Sequence, residues 1–383
     1  MEGSHRGPKL ETGRERVRPG QKAGERLVER DRRRRRLPRF AVAVGASLVA
    51  TALLFAACGT GSPIRVLGTQ KFALPPNGSG CSGVTRLAGG AFRLPITVSA
   101  VGSAVEASVD VCVDGHGPFP FVIDTGASSS AIDLSVAQRL HLPKLGSPLR
   151  YAGIGCTGLT QLQQVTTWSV AGLPLAGQPM AAETIPGWGG EGEPVGLIGA
   201  DVLSRFGALR FDFNAQTLTL PGIEAPAPDR PSLVTGPLAR PIPPDLISGP
   251  PSSIAGLKVA ERPDFAVATT SVHFTGAKAV VFELDTGASR SVVATALTRE
   301  LNLAKTDYFG EMRTACSSVT VPLVQSGPWS VGNVPLAPSM LRSTDIGQLR
   351  INGLLGLDAL SGFEYAIIDF KGATLALGPR RHS

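Results

Sequence analysis

Aromatic and charged side chains are scarce in this chain of 383 residues: Phe, Trp and Tyr make up 5% and Asp, Glu, Lys and Arg 17%. Aliphatic residues are abundant, so the composition excludes a disordered, charge-rich chain. Glycine and proline are also plentiful, at 46 and 31 residues. This composition favours a strand-rich globular protein with frequent turns, and the length suits two domains that each bury a core.

A basic surface is missing from most of the chain. The net charge of +7 arises in residues 1–39, which hold 14 Lys and Arg against 6 Asp and Glu, whereas the remaining residues hold 23 against 24. The folded part is therefore not expected to bind nucleic acid. The sequence also has no Cys-x-x-Cys pair and no His-x-x-x-His spacing, so it predicts no metal site.

One apolar run is long enough to reach across a bilayer: Phe40–Ala57, which has 18 residues without a charge. It follows the basic residues 1–39, and this order predicts an exported segment whose basic flank stays in the cytoplasm. The small residues before Cys58 resemble a bacterial lipoprotein signal, so we expect residues 40–58 to be a signal peptide and Cys58 to be lipidated. The bulk of the chain would then lie on the extracytoplasmic face of the cell membrane. An uncleaved single helix is the alternative anchor.

Apart from Cys58, the chain has an even number of cysteines, as expected of an exported protein with two disulfides. Four cysteines permit three pairings, and the spacing alone leaves them open. They are Cys81, Cys112, Cys156 and Cys316.

An internal repeat is built around two copies of Asp-Thr-Gly-Ala. Phe121–Ser130 reads Phe-Val-Ile-Asp-Thr-Gly-Ala-Ser-Ser-Ser, and Val281–Arg290 reads Val-Phe-Glu-Leu-Asp-Thr-Gly-Ala-Ser-Arg. Each copy is followed by Trp-Ser-Val, and later by Gly-Leu-(Ile/Leu)-Gly-x-Asp-x-Leu at Gly196–Leu203 and Gly353–Leu360. The period is far too long for a solenoid, so the repeat indicates a duplicated domain.

The composition divides the chain around these copies. Residues 59–90 are rich in Gly, Ser and Pro and predict a flexible tether. The two copies cover about 91–220 and 264–378, and the linker 221–263 between them is proline-rich and expected to hold little regular structure. Apolar alternation predicts strands early in each copy, whereas Ala131–Leu140 fits either a helix or a strand.

An apolar strand entering Asp-Thr-Gly-Ala, paired with a downstream apolar-apolar-Gly-x-Asp-x-Leu, resembles the aspartic proteases and, among them, the retropepsin-like branch. Single retropepsin-like units work as homodimers, whereas two fused units resemble the two-lobed pepsins. The resemblance implies an all-β (mainly β) fold of two pseudo-symmetric retropepsin-like acid-protease lobes with the active site between them. It also implies a monomeric endopeptidase that acts on a protein or peptide and needs no metal or organic cofactor.

The resemblance makes Asp124 and Asp285 the catalytic pair. Two carboxyl groups this close cannot both ionise, so they share one proton and activate a water between them. Alanine follows Gly126 and Gly287 where pepsin-type enzymes commonly have a hydroxyl, so we expect a mildly acidic rather than strongly acidic pH optimum. The residues expected to support the two loops are Thr125, Gly126, Ala127, Thr286, Gly287, Ala288, Gly199 and Gly356.

Family members cover the cleft with glycine-rich hairpins, and the segment Tyr151–Gly158 lies where the first should be. It also matches Gly-x-Gly-x-x-Gly, but a dinucleotide site needs an acidic residue about 20 positions on, and none lies there. The second hairpin, Tyr308–Cys316, has fewer glycines, so the two should differ. Arg290 is expected either to be solvated or paired with Glu283, or to place a fixed cation beside the substrate. The residues predicted along the cleft are Tyr151, Gly153, Gly155 and Arg290.

In a pseudo-two-fold protease the two hairpins meet above the cleft, and Cys156 and Cys316 lie at nearly equivalent places in them. One hypothesis is therefore a Cys156–Cys316 bond across the cleft, with Cys81 and Cys112 joining the tether to the first lobe. The alternatives are a local bond from Cys156 to Cys81 or Cys112, or four free thiols.

Two other function classes are weighed against the protease. One is a catalytically inactive protease-fold lipoprotein that binds peptide or cell wall, in which mutation of Asp124 would change nothing. The other is a membrane-tethered structural protein in which the doubled Asp-Thr-Gly is a coincidence.

Overall fold

Strands dominate the part of the chain that the computed structural model describes, namely residues 80–189, 192–222, 232–235, 246, 251–262, 265–347 and 349–381. The basic region, the expected signal segment with Cys58 and most of the expected tether lie outside these residues. Within the described ranges, no helix is long and apolar enough to cross a bilayer.

The first lobe has two short helices, α1 (Leu134–Arg139) and α2 (Ala200–Leu203), and a 3-10 turn at Ser204–Phe206. Its strands are β1 (Thr85–Arg86), β2 (Phe92–Pro95), β3 (Thr97–Val101), β4 (Ala104–Val113), β5 (His116–Ile123), β6 (Ala131–Asp133), β7 (Lys144–Gly153), β8 (Cys156–Val165), β9 (Trp168–Val170), β10 (Leu173–Leu175), β11 (Gln178–Glu183), β12 (Gly196–Ile198), β13 (Ala208–Asp212) and β14 (Thr217–Leu220).

The second lobe repeats this order, with helices α3 (Thr295–Glu300) and α4 (Leu357–Leu360). Its strands, with one in the preceding segment, are β15 (Ser232–Thr235), β16 (Ser253–Arg262), β17 (Phe265–Phe274), β18 (Val280–Leu284), β19 (Val292–Ala294), β20 (Lys305–Arg313), β21 (Ser318–Gln325), β22 (Trp329–Val331), β23 (Val334–Leu336), β24 (Met340–Thr344), β25 (Gly353–Leu355), β26 (Tyr365–Asp369) and β27 (Thr374–Leu377).

The strands of the two lobes pair in the same order. The first lobe runs β10-β9-β4-β5-β12-β6-β11-β8-β7. The second runs β23-β22-β17-β18-β25-β19-β24-β21-β20. In each lobe the short strand β12 or β25 lies parallel to the strand that leads into Asp-Thr-Gly, and antiparallel to the strand that leaves it. The prediction of a duplicated, mainly β fold is confirmed.

A further sheet joins the lobes. The hairpin β13–β14 of the first lobe pairs edge to edge with the hairpin β26–β27 of the second, and β2 and β16 flank them on the two sides. Phe211 pairs with Ala366 at its centre, and both are fully buried. One hydrophobic cluster therefore runs through both lobes, so the two halves share a core and hold a fixed relation to each other.

The predicted domain boundaries change at two places. Ser253–Arg262, assigned to the linker, is a ten-residue strand, and Ser232–Thr235 in the same segment pairs with it. The cause is burial of alternate residues, because Ala255, Leu257 and Val259 face the core while β16 pairs with β27 and β17. In the expected tether, the turn and strand at 80–90 are likewise ordered, through pairing of β1 with β2.

The segment Ala131–Leu140, which fitted either structure, contains both. Its first residues form β6, and Asp133 then caps α1 by accepting bonds from the backbone N–H groups of Ser135 at 2.9 Å and Val136 at 3.3 Å. A cap of this kind stabilises a helix whose short sequence would not hold it alone.

Candidate active site

Each Asp-Thr-Gly loop begins at the end of a buried strand. Asp124 follows β5, and its N–H donates to the carbonyl of Ile198 on β12 at 3.0 Å. Asp285 follows β18 and bonds to the carbonyl of Leu355 on β25 at the same distance. The parallel neighbour strand therefore fixes the point at which each carboxylate leaves the sheet.

The two loops bind each other through their threonines. The N–H of Thr125 donates to Oγ1 of Thr286, and the N–H of Thr286 donates to Oγ1 of Thr125, both at 3.1 Å. Each hydroxyl then donates across to the strand of the opposite lobe, Thr125 to the carbonyl of Leu284 at 2.8 Å and Thr286 to that of Ile123 at 2.6 Å. Both side chains are fully buried, and the four bonds satisfy both N–H groups and both hydroxyls, so this reciprocal set locks the loops in one arrangement.

Glycine is required at the third position of each loop because the opposite carboxyl group occupies the space of a side chain. A Cβ on Gly126 would lie 2.4 Å from Cγ of Asp285, and one on Gly287 would lie 2.3 Å from Cγ of Asp124. Contacts under 3 Å do not occur for real Cβ atoms. The two carboxyl groups therefore face each other across the pseudo-two-fold axis.

The loop backbone supplies the hydrogen bonds of each carboxylate. Oδ1 of Asp124 accepts from the N–H groups of Gly126 at 2.9 Å and Ala127 at 2.8 Å. Oδ1 of Asp285 accepts from those of Gly287 and Ala288, both at 2.9 Å. The alanines thus contribute backbone donors but no hydroxyl.

Burial raises the pKa of both aspartates, and the backbone donors lower it only in part. The pKa of Asp285 is raised further by the negative charges of Asp124 and Glu283, and lies well above its ordinary value. The hydrogen bond between the two carboxyl groups lowers the pKa of Asp124 and raises that of Asp285. The pair therefore shares one proton, which belongs to both carboxyl groups together.

The two downstream glycines pack directly on the loops. A Cβ on Gly199 would lie 2.6 Å from the carbonyl carbon of Ser129, and one on Gly356 would lie 2.6 Å from the carbonyl oxygen of Ala288. A larger residue at either position would push the loop out of place. This is the close approach that the sequence predicted for Gly199 and Gly356.

Two further aspartates fix the loops, and sequence reasoning missed them. Asp201 accepts from both the N–H and the hydroxyl of Ser130, at 2.9 and 2.8 Å, and Asp358 accepts in the same way from Ser291, at 2.8 and 2.7 Å. The serine oxygens in turn accept from the N–H groups of the downstream glycines. The signal was present, because both copies of Gly-x-Asp-x-Leu carry this aspartate.

The carboxyl pair opens into a cavity of about 620 Å³ between the lobes. Of the residues predicted along the cleft, Tyr151, Gly153 and Arg290 line it. Gly155 does not: it forms the tip of its hairpin, where its Cβ position lies 3.3 Å from the carbonyl oxygen of Asp345. Sequence proximity put Gly155 in the cleft, whereas the structure places it at the end of the hairpin, against the second lobe.

Cations gather on the second-lobe side of the cavity. Arg290 donates to the carbonyl of Met340 at 3.1 Å, so it is held by backbone rather than by the Glu283 partner considered from the sequence. Arg342 lies beside it and donates to the hydroxyl of Ser289 at 3.4 Å. Burial and the positive charge of Arg290 both lower the pKa of Arg342. The two guanidinium groups therefore form a positive wall.

Glu283 is a third carboxyl group near the pair. In the register of β18 with β25 it faces Leu354, the place that Val122 takes opposite Leu197 in the first lobe. Its side chain is only 9% exposed, and burial followed by the charge of Asp124 raises its pKa to about 8. The second lobe thus has an ionisable side chain at the position where the first lobe has the apolar Val122, so the cleft is asymmetric.

Two hairpins roof the cavity. The first is β7–β8, with a two-residue turn at Ile154 and Gly155, and the second is β20–β21, with a longer turn between Arg313 and Ser318. A Cys156–Cys316 disulfide joins them, and Cys81 bonds Cys112 in the first lobe. The structure thus forms the cross-flap pairing that the sequence left as one of several hypotheses.

We predict that Asp358→Ala lowers both stability and turnover, because it leaves the two donors of Ser291 without a partner beneath the second loop. The loss of unfolding free energy should be about 1–3 kcal/mol, the cost of buried unsatisfied donors. Chemical denaturation and steady-state kinetics measure the two effects. Asp358→Asn keeps an acceptor oxygen and serves as the matched control. Equal stability of the Ala variant and the native protein would contradict the assigned role.

Two family models match the chain. One described as "aspartyl protease" matches residues 109–202, and one described as "gag-polyprotein putative aspartyl protease" matches residues 270–362. A search of curated proteins finds no match. Among solved structures, the chain is similar to the crystal structure of aspartic proteinase from Irpex lacteus, with 13% identity and a TM-score of 0.41 over 76% of this chain and 97% of that one.

The two family matches fall on the two lobes, and each contains one Asp-Thr-Gly loop. The loops meet as a symmetric pair that shares one buried proton site. The chain belongs to the aspartyl proteases, as an aspartic-type peptidase with two retropepsin-like units fused in one polypeptide.

Proposed function

We propose that the chain is a membrane-tethered, extracytoplasmic aspartic endopeptidase that acts as a monomer, with Asp124 and Asp285 as its catalytic pair. One observation carries the proposal: the two carboxyl groups face each other at the base of a roofed cavity, and each occupies the space that a Cβ on the other loop's glycine would need. Both halves of the site come from one chain, which supports a monomeric enzyme.

The proposed mechanism uses the single proton that the pair shares, and it starts with that proton on Asp285. A water between the carboxyl groups loses a proton to Asp124, and its oxygen attacks the carbonyl carbon of the scissile bond. Asp285 gives its proton to the carbonyl oxygen in the same step. In the second step the proton on Asp124 passes to the amide nitrogen as the C–N bond breaks, and Asp285 regains a proton from the hydroxyl that becomes part of the new carboxyl group. The pair ends with the one proton it held at the start.

The positive wall of Arg290 and Arg342 supports a preference for an acidic or polar substrate side chain on the second-lobe side. Arg290 lines the cavity, and its position is fixed by the bond to the Met340 carbonyl. A cation that is already ordered loses little conformational freedom on binding an anion. Ser289 also lines the cavity on this side, and its hydroxyl can bind a neutral polar group of the substrate.

Tethering to the membrane rests on the sequence before residue 80, where a basic region and an apolar run precede Cys58. The two disulfides of the folded part support an oxidising compartment outside the cytoplasm.

We predict that Asp124→Asn and Asp285→Asn each lower kcat by about 10²–10⁴-fold, the range of general acid–base catalysis. Neither should unfold the protein, because each replaces a buried carboxyl group by an amide of the same shape. A fluorogenic peptide library and a thermal melt measure the two effects, with the exposed Asp307→Asn as control. Activity that survives in either variant would contradict a single site and indicate pairing of each aspartate with its copy in a second chain.

A native protein that binds peptides but never cleaves them would favour the inactive peptide-binding alternative.

We predict that Glu283→Gln moves the alkaline limb of the pH–rate profile to lower pH. Glu283 is ionised only near and above its own pKa of about 8, and there its charge disfavours ionisation of Asp285. The variant lacks that charge, so the pKa of Asp285 should be lower than in the native protein in this alkaline range. The active form needs one proton on the pair, and this proton would then be lost at a lower pH. Profiles of kcat between about pH 3 and 9 measure the shift. This range reaches from below the ordinary pKa of a carboxyl group to above the raised values of this site. The exposed Glu300→Gln is the control, and coincident limbs would show that Glu283 does not act on the pair.

We predict that Cys58→Ala releases the protein from the membrane of the cells that make it. A lipid on Cys58 would be the anchor, and the variant lacks the thiol that carries it. Detergent partition and labelling with a fatty-acid analogue measure attachment, and Cys81→Ala is the control. A variant that stays membrane-bound and unlabelled, like the native protein, would favour the uncleaved helix instead.

A further inference from the structure

We propose that this protease takes its substrates by a free chain end, which threads into a cleft that the Cys156–Cys316 disulfide closes over. The inference rests on the proposed function and narrows its substrate class to unfolded polypeptide termini. Internal loops of folded proteins would not enter while the bond is intact.

The roof is tied together at its centre. Cys156 begins β8 and Cys316 lies in the turn between β20 and β21, with their Cα atoms 6.2 Å apart. Beside the bond, the hydroxyl of Tyr151 donates to the carbonyl of Ala315 at 3.2 Å. Gly153, Tyr151 and Ala315 all line the cavity above the carboxyl pair. The disulfide therefore crosses over the active site rather than beside it.

Each hairpin also reaches the lobe opposite its own. The tip of the first hairpin, at Gly155, lies against the Asp345 carbonyl of the second lobe. Arg313 at the end of β20 pairs with Glu193 of the first lobe at 3.5 Å, and its guanidinium lies beside the Cβ position of Gly187 at 2.8 Å. The roof thus has supports at both sides of the disulfide.

The floor is equally closed. The reciprocal bonds of Thr125 and Thr286 join the loops under the carboxyl pair, and the sheet through β13 and β26 joins the lobes below them. Floor, first lobe, disulfide and second lobe make a ring around the cavity. A non-covalent roof can lift to admit a chain from the side, as flaps do in many enzymes. With a covalent roof, the described residues leave entry at the two ends of the cavity, which we call the passage.

The passage is open to solvent and suits an unfolded chain. Two apolar residues that line the cavity are mostly exposed, Val101 by 82% and Phe309 by 65%. They lie where the cavity meets water and offer contacts to the apolar side chains that an unfolded segment exposes. The volume of about 620 Å³ falls within the usual range of ligand pockets. It fits a short stretch of single chain and excludes a folded domain.

The test uses one cleavable sequence in four settings: with both ends free, with a small folded domain fused to the N-terminus only, to the C-terminus only, and to both. The oxidised enzyme should cleave the first three. Cleavage of the doubly blocked substrate should be slower by more than about 1,000-fold, because entry would then require a lobe to unfold. Cys156→Ser with Cys316→Ser, and native enzyme treated with a dithiol reductant, should cleave all four at similar rates.

Cys81→Ser with Cys112→Ser removes the other disulfide and keeps the roof closed, so it should discriminate as the native enzyme does. Equal rates on free and doubly blocked substrates by the oxidised enzyme would overturn threading. Binding gives a second readout: labelled substrates are added to the Asp124→Asn protein, and only those with a free end should bind when it is oxidised. If no substrate is cleaved by any form but this binding pattern holds, the proposed hydrolysis fails and threading stands. If the oxidised protein binds the doubly blocked substrate as well as the free one, threading is wrong, whether or not the enzyme is active.

Discussion

Two carboxyl groups are buried against each other, and the rest of the structure depends on that contact. Both lose the hydration that stabilises their charge, so they hold a proton between them. The fold has to press the groups together and keep them there. Glycines give them space, backbone N–H groups solvate one oxygen of each, and the crossed threonines prevent the loops from separating. The sheet that joins the lobes through β13 and β26 fixes the position of one lobe relative to the other.

The two lobes have the same strand topology, but the residues that they present to the cavity differ. Glu283 of the second lobe takes the position that Val122 has in the first. Two arginines line the second-lobe side of the cavity, and the two hairpins end in turns of different length. Gene duplication keeps what the carboxyl pair needs from each half, namely Asp-Thr-Gly, the downstream glycine and the aspartate two positions after it. Residues that face only the substrate are free to differ. A single-chain enzyme can therefore read the two sides of a peptide differently, which a symmetric homodimer cannot do.

The sequence predicted the duplicated fold and the loops, because both depend on local motifs that occur twice. It missed several features that depend on distant partners. The strand Ser253–Arg262 was assigned to the linker because prolines precede it, and its pairing with β27 is visible only once the chain has folded. Asp201 and Asp358 were quoted within a motif but given no role, since the serines that need them lie about 70 residues earlier. Gly155 was put in the cleft because spacing does not show where a hairpin turns.

The shared proton is the central claim, and it is measured most directly by carbon-13 NMR of the aspartate carboxyl carbons. Protein labelled at Cγ of aspartate would be titrated with pH, and the signals of Asp124 and Asp285 assigned from the two Asn variants. We expect both signals to report two well-separated ionisation steps, with the upper step lost when either partner is replaced. Two independent single steps, each near the ordinary aspartate pKa, would contradict a pair that shares one proton.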